Sequence, residues 1–306
     1  MPPNPSDSAP VYCFGHVSTG QILRLRGKYP EPNGYAEVVE TAENYCGEAT
    51  GTALVLQRLG IPTILEGNWL GDNPAGERTL SFLRNRGIDC SGLGIKAGYG
   101  GVNEVVITDP TSRTVFGRYV DLLSTTRQWE PPREESIQRS RCVCVDPGFG
   151  ETSLEVARMA LKHGIPLVTS DAAPGSPLTA GAAIIVVSKE GLSWHKLSAD
   201  PRKAFEAYRA ACPGLVVFTR GSESTWWARG AESGEVASFP IETMDTAGAG
   251  DSFRGGMIYG MLQGWTDERT VRFAVGVAAL VCQSFPGVLG SPELRTVEAF
   301  LEAHPS

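Results

Sequence analysis

The chain is poor in the residue patterns that hold metals. Its four histidines, at 16, 163, 195 and 304, have no metal-ligand spacing, and none of its seven cysteines forms a CxxC pair. No structural metal site is expected. The cysteines are odd in number and scattered at 13, 46, 90, 142, 144, 212 and 282, which reads as buried, reduced thiols of a cytoplasmic protein. Cys142 and Cys144 stand two apart and would share one face of a strand. No Lys/Arg cluster relieves the net charge of -7, so neither nucleic acid nor an anionic membrane surface is an expected partner. The longest apolar run, Ala180–Val187, is far too short to span a bilayer. The first ten residues, MPPNPSDSAP, lack the basic and apolar regions of a secretory leader and read as a short disordered tail.

What is present suits one large α/β domain over residues 11–306. A hydrophobic fraction of 42% in 306 residues is enough for a sizeable core. After the β-rich opening VYCFGHV come two weak extended segments, Ile22–Leu25 and Ala36–Thr41, parted by the turn-former run YPEPNG. Helices are expected over 47–59 and 74–85, and a hairpin joins 102–109 to 113–120. From Arg141 onward, continuous β-branched runs (RCVCVD, IPLVTSD, AAIIVVS, GLVVFT) alternate with amphipathic helices at 153–163 and 201–212. That alternation predicts a mostly parallel sheet covered on both faces. The last stretch is helical at 249–263, 267–283 and 296–304. Strands around 20–43 and 100–121 have no helices of their own and would form a small second sheet.

Two segments carry glycines at a helix mouth. In VCVDPGFGETS, Gly148 and Gly150 precede a helix and Asp171 follows 21 residues after Gly150, an imitation of a dinucleotide fingerprint. Its third glycine is Ser153 and Pro147 interrupts the entry. The stronger segment is DTAGAGD, residues 245–251. Gly248 and Gly250 let successive amides converge, and the helix that follows adds unpaired N–H groups and a positive dipole end. The resulting anion hole, with Ala249, suits a phosphoryl group in transfer, and Asp251 is placed to take a proton from an attacking hydroxyl. A tight turn with Asp251 as helix cap accounts for the same residues without chemistry.

DTAGAGD resembles the second signature of the ribokinase-like (PfkB) carbohydrate kinases, and CGEATGTALVLQRLG, residues 46–60, resembles the first in degraded form. The likeness runs over about residues 11–302, and VVSKEG and RFAVGVAALVCQSFPG look most like the branch holding ketohexokinase and sulfofructose kinase. The resemblance implies a ribokinase-like fold, a Rossmann-like sheet plus a small β lid over the substrate. It implies an ATP-dependent, Mg²⁺-requiring kinase for a hydroxyl of a sugar-like molecule. Asp251 would be the general base and the Gly248–Asp251 amides the anion hole. Glu190 would organise Mg²⁺ through waters, although Val187 stands where the family has Asn. Ser188, Thr219 and Gly221 would lie along the nucleotide, Val275 and Cys282 would wall the adenine, and Gly287 would sit in the loop beyond. Main-chain groups near Asp245 and 284–290 form a monovalent cation site in many relatives, which makes K⁺ a candidate.

The substrate side departs from the family. Gly20 stands where a sugar-gripping Asp is expected, Cys46-Gly47 replaces Gly-Gly, and Gly51 occupies an Asn position. Gln21, Glu48, Asn103 and Arg118 are the replacement candidates. Arg254 would meet an anionic substrate group or a nucleotide phosphate, or else form a surface salt bridge. Trp226 and Trp227 read as packing residues. The exposed strand edges of a lid invite a homodimer. Two other functions compete: a non-catalytic sugar or nucleotide sensor on the same fold, suggested by the missing contacts, and a nicotinamide oxidoreductase through Gly148–Asp171.

Overall fold

The computed structural model describes residues 8–109, 111–119, 122 and 126–305. Residues 1–7 of the expected tail, and 120–121 at the end of the expected lid, lie outside them. The first strands are β1 (Val11–Gly15), β2 (Ser18–Leu25), β3 (Val38–Cys46), β4 (Thr63–Gly67), β5 (Leu70–Gly71) and β6 (Ile95–Lys96). Then come β7 (Asn103–Thr108), β8 (Arg113–Gly117), β9 (Cys142–Val145), β10 (Leu167–Ser170) and β11 (Ile184–Val187). The last are β12 (Leu215–Phe218), β13 (Thr225–Arg229) and β14 (Glu232–Val236).

The large sheet runs β14-β13-β12-β11-β10-β9-β1-β4. It is parallel from β4 to β12, and the β13–β14 hairpin adds two antiparallel strands at one end. Every residue of VYCFG, CVCV, IIVV and LVVF is buried, as strands covered on both faces require. The side chains sort into two cores by alternation. Cys13, Cys142, Cys144 and Val186 belong to one, and Tyr12, Phe14, Val143 and Val187 to the other. Cys142 and Cys144 thus share a face. All seven cysteines are unbridged, five of them buried.

The helices are α1 (Glu48–Arg58), α2 (Pro74–Asn85), α3 (Glu134–Gln138), α4 (Glu151–Lys162) and α5 (Pro177–Gly181). They continue with α6 (Lys189–Trp194), α7 (Pro201–Ala211), α8 (Ala249–Leu262), α9 (Asp267–Cys282) and α10 (Leu294–Ala303). Several start on side-chain caps: Asn73 accepts from the Ala75 and Gly76 amides, Asp200 from Lys203, and Thr266 from Arg269. By contrast, α8 starts on Gly248 with no side-chain cap. Among the described residues no helix is long and apolar enough to cross a membrane.

The second sheet has the order β3-β2-β7-β8. Its strand β2 is antiparallel to β3 and parallel to β7, and β7 and β8 form the hairpin. Ile22 and Val106 are buried on one face and pack against Ala247, with Ala42 and Phe285 alongside. That inner face therefore rests on the segment that leads into α8. Residues one step along each strand turn the other way, and Gln21, Val105 and Phe116 are exposed.

Candidate active site

The site is assembled around one carboxylate at the end of β9. Asp146 is buried, and its Oδ2 accepts the amides of His16, just past β1, at 3.0 Å and of Ala49, in the first turn of α1, at 2.9 Å. Its Oδ1 accepts from Arg254 Nη1 at 2.8 Å. Arg254 also donates to Ser170 Oγ at 2.8 Å and, through Nε, to Thr52 Oγ1 at 2.9 Å. Arg254 is only 1% exposed. It is not a surface ion pair but a buried brace joining α8 to α1, β9 and β10, and its Nη2 is buried without a partner. A charge this deep is tolerable because a carboxylate and two hydroxyls meet it.

Asp251 lies one helical turn before Arg254, so the two share a face of α8. It is half-buried, and burial pushes its carboxyl up to about 7 despite Arg254, with Asp146 adding to the rise. A carboxylate with that value is matched to proton abstraction near neutrality. Glu48, in the first turn of α1, is held well above the usual carboxylate range by burial and by Asp146, and Asp251 adds to this. Gly47 leads into that turn, and a Cβ there would collide with the His16 carbonyl.

Gly248 has φ 76°, the left-handed conformation that glycine adopts without strain. The amide of Ala249 donates to the Thr246 carbonyl at 3.2 Å. No side-chain cap covers the first amides of α8. The loop before it is stapled by Asp245, which is fully buried and accepts the amides of Ala247 and Gly287, each at 2.9 Å. Gly287 leaves no room for a side chain, since a Cβ would stand over the Ala247 carbonyl. From the lid, Arg113 donates to the Thr246 carbonyl at 3.3 Å and so reaches the same loop.

The residues assigned to the nucleotide lie at the ends of β11 and β12 and on α9. Ser188 caps α6 by accepting the Gly191 amide at 2.9 Å, and it donates to Asp171 through its amide and hydroxyl. Asp171 is thereby engaged within the sheet end, where a ribose-binding acid of a dinucleotide site would have to be free. Glu190 is exposed in the first turn of α6 and acts on Asp171, whose carboxyl burial pushes up. Thr219 donates its amide to the Val187 carbonyl at 2.9 Å, and Gly221 turns with φ 68°. Val275 is buried on α9, and the carbonyl of Cys282 at its end accepts the Met244 and Asp245 amides. Among the described residues no group of three metal-ligating side chains exists.

On the substrate side the structure separates the expected residues. Gly51 adjoins Asp251, Glu48 feels its charge, Gly47 packs on the His16 carbonyl, and Gly20 lies on the inner face of the second sheet. Gln21 is on the outer face. Asn103 spends its amide on the carbonyls of Gly100 and Gly101, at 3.1 and 3.0 Å. Arg118 is exposed, its backbone amide paired with Asn103. The sequence reading missed Asn44, Glu104 and Tyr119, which meet on the inner face, and Asp146, which no local motif marks. It also missed His16, whose ring stands edge-on to Tyr119 at 4.6 Å and whose Nε2 is buried without a partner. Burial pushes that imidazole down to about 4.

A family model for pfkB family carbohydrate kinases matches residues 9–293. The chain is 26% identical over 263 residues to ribokinase of Bacillus subtilis (strain 168), covering 83% of this chain and 87% of that protein. It is also 26% identical over 294 residues to a nucleoside kinase of Methanothermobacter thermautotrophicus, covering 91% of each. A fructokinase from Xylella fastidiosa, solved with bound ATP, superposes with a TM-score of 0.77 over 97% of this chain and 99% of that one. At 19% identity that likeness concerns the fold. The chain belongs to the pfkB family of carbohydrate kinases. Its fold is ribokinase-like, and its enzymatic class is phosphotransfer, which leaves no place for the oxidoreductase reading.

Proposed function

We propose that this chain moves the γ-phosphoryl group of ATP to a hydroxyl of a sugar or sugar-like molecule, with Asp251 as the base. The observation that carries the reading is a carboxyl with its value near 7 in the first turn of a helix that has no side-chain cap. In the step, Asp251 takes the hydroxyl proton, the substrate oxygen forms a bond to the γ-phosphorus, and the bond to the ADP oxygen breaks. Such transfers are loose, so catalysis rests on positioning and on charge stabilisation by the Gly250 and Asp251 amides, the Ala249 amide being held by the Thr246 carbonyl. The ribokinase and nucleoside kinase named among the relatives make a ribose-containing acceptor a natural first choice.

Exposed Glu190 fits a water-mediated Mg²⁺ contact, since Mg²⁺ keeps waters and leans on nucleotide phosphates. When bound, the ion would neutralise charge developing on the phosphates. Ser188, Thr219, Gly221, Val275, Cys282 and Gly287 would border the nucleotide. Asp245 is fully buried and has no ion-pair partner among the described residues, which suits K⁺ bound near it and 284–290. The unbridged cysteines suit a cytoplasmic enzyme. A homodimer would use the outer lid face, where Val105 and Phe116 pair across strands and are both exposed. Light scattering at working concentration checks this, and a monomer sinks it.

The test of the function is ADP release with Mg-ATP over free sugars, polyols, nucleosides and phosphorylated sugars, with Asp251→Asn as control. Turnover that disappears in the control is the expected result. Sugar or ATP binding with no turnover anywhere would return the sensor reading.

A further inference from the structure

One row across the lid sheet supplies what position 20 lacks. Gly20 pairs with Asn44 on β3 and with Glu104 on β7, and Glu104 pairs with Gly117 on β8. Residues opposite one another share a face, so Asn44, Gly20, Glu104 and Gly117 form one line on the inner surface. Large and empty positions alternate along it. A Cβ on Gly20 would collide with the main-chain oxygen of Glu104 and stand 3.1 Å from its Cγ. A Cβ on Gly117 would run into the ring of Tyr119. The two glycines are therefore the room in which Glu104 and Tyr119 sit.

The carboxylate in that room is firmly held. Asn44 donates to Glu104 Oε1 at 2.6 Å, and the Tyr119 hydroxyl donates to Oε2. Glu104 is 8% exposed and Asn44 3%. No Lys, Arg or His among the described residues pairs with Glu104; Arg113, which acts on it electrostatically, donates to the Thr246 carbonyl instead. The neighbouring row on the same face, Ala42, Ile22 and Val106, rests on Ala247, so this face looks onto the catalytic loop. The Glu104 charge is felt by both Asp251 and Cys46.

We propose that Glu104 is the substrate-gripping acid of this enzyme, moved by one strand from position 20, and that its acceptor is an uncharged polyhydroxylated molecule. The proposal rests on the kinase reading above. Asn44 and Tyr119 orient the carboxylate and the Ser18 hydroxyl also acts on it, which leaves lone-pair capacity for a hydroxyl hydrogen of the acceptor. An anionic substituent at the same place meets a like charge in poorly solvated surroundings. Burying a carboxylate without a counter-ion is costly, and the substrate contact gives it a use.

The experiment compares wild type with Glu104→Gln on free ribose, fructose and nucleosides and on the sugar phosphates. It reads ADP release and, separately, equilibrium binding by thermal shift. Gln keeps the size of the side chain and can still bond Asn44 and Tyr119, and melting verifies the fold. Wild type should prefer the neutral acceptors. Glu104→Gln should raise their KM by about ten- to a hundredfold, the loss of a charge-assisted hydrogen bond, while the KM for ATP stays put. A preference for phosphorylated acceptors overturns the proposal, as does an acceptor KM within twofold of wild type in the variant. If nothing is turned over, the kinase reading fails, and binding still decides about Glu104. Weaker neutral-sugar binding in the variant sustains the proposal. Equal binding, or no neutral-sugar binding by wild type, overturns it.

Discussion

Gly51 and Asp251 meet at a separation that only a bare Cα permits. A Cβ on residue 51 would stand 2.7 Å from the Asp251 Cβ and 2.8 Å from its Oδ2. Helix α1 therefore sets the position of Asp251 on α8, and an Asn at position 51 has no space while Asp251 stays where it is.

Gly51→Ala should displace Asp251, the proposed base, because a Cβ 2.7 Å from its Cβ cannot stand. We expect kcat to fall about ten- to a hundredfold, because catalysis by positioning is sensitive to such displacements. The KM for ATP should change little, and Gly51→Asn should be worse than Gly51→Ala. Steady-state kinetics at saturating ATP give the answer, and an unchanged kcat in both variants contradicts the contact.

As the proposed base, Asp251 works only when deprotonated. With its carboxyl at about 7, kcat/KM should rise with unit slope below that pH and level off above it. Asp251→Asn should be slow and flat across the same range. A pH profile and rate that Asp251→Asn leaves unchanged would remove Asp251 from the role.

The same group has a signature in stability. Its folded value, about 7, lies above the ordinary carboxyl value near 4, so the native state holds the proton more tightly. The stabilisation from protonation is full below about pH 4 and is lost as pH rises through about 7. Asp251→Asn should accordingly raise Tm relative to wild type more at pH 8 than at pH 5. Thermal melts at the two pH values read the difference directly.

Asp146→Asn removes the charge that faces buried Arg254. Leaving an uncompensated guanidinium in the interior should cost about 3–5 kcal/mol. Replacing Arg254 as well, as Asp146→Asn with Arg254→Met, keeps a side-chain oxygen for the His16 and Ala49 amides and should recover a large part of that loss while activity stays low. Urea unfolding of the single and double variants separates the two costs.

The parallel sheet was legible because CVCV, IIVV and LVVF are apolar without interruption, and DTAGAGD marks its chemistry locally. The lid was harder to read. Strand β3 reaches Cys46 through ETAENYC, whose charged residues belong to the exposed half of an antiparallel ladder, so the expected segment stopped at Thr41. The β13–β14 hairpin was missed, and the exposed, polar β14 explains why. Trp226 and Trp227 are buried as packing residues. Glu104 could be recognised only once the register placed it beside Gly20. Arg254 looked like a surface or substrate cation because its partner, Asp146, is 108 residues away in the chain.

Asp146 has a dynamic consequence as well. The amides of His16 and Ala49, one just past β1 and the other at the head of α1, share its Oδ2. Neither can keep its hydrogen bond if that side chain swings away, so an opening centred there exposes both to solvent isotope at one rate. The two amides should exchange as a single unit, and the substrate end of the cleft should loosen as one piece.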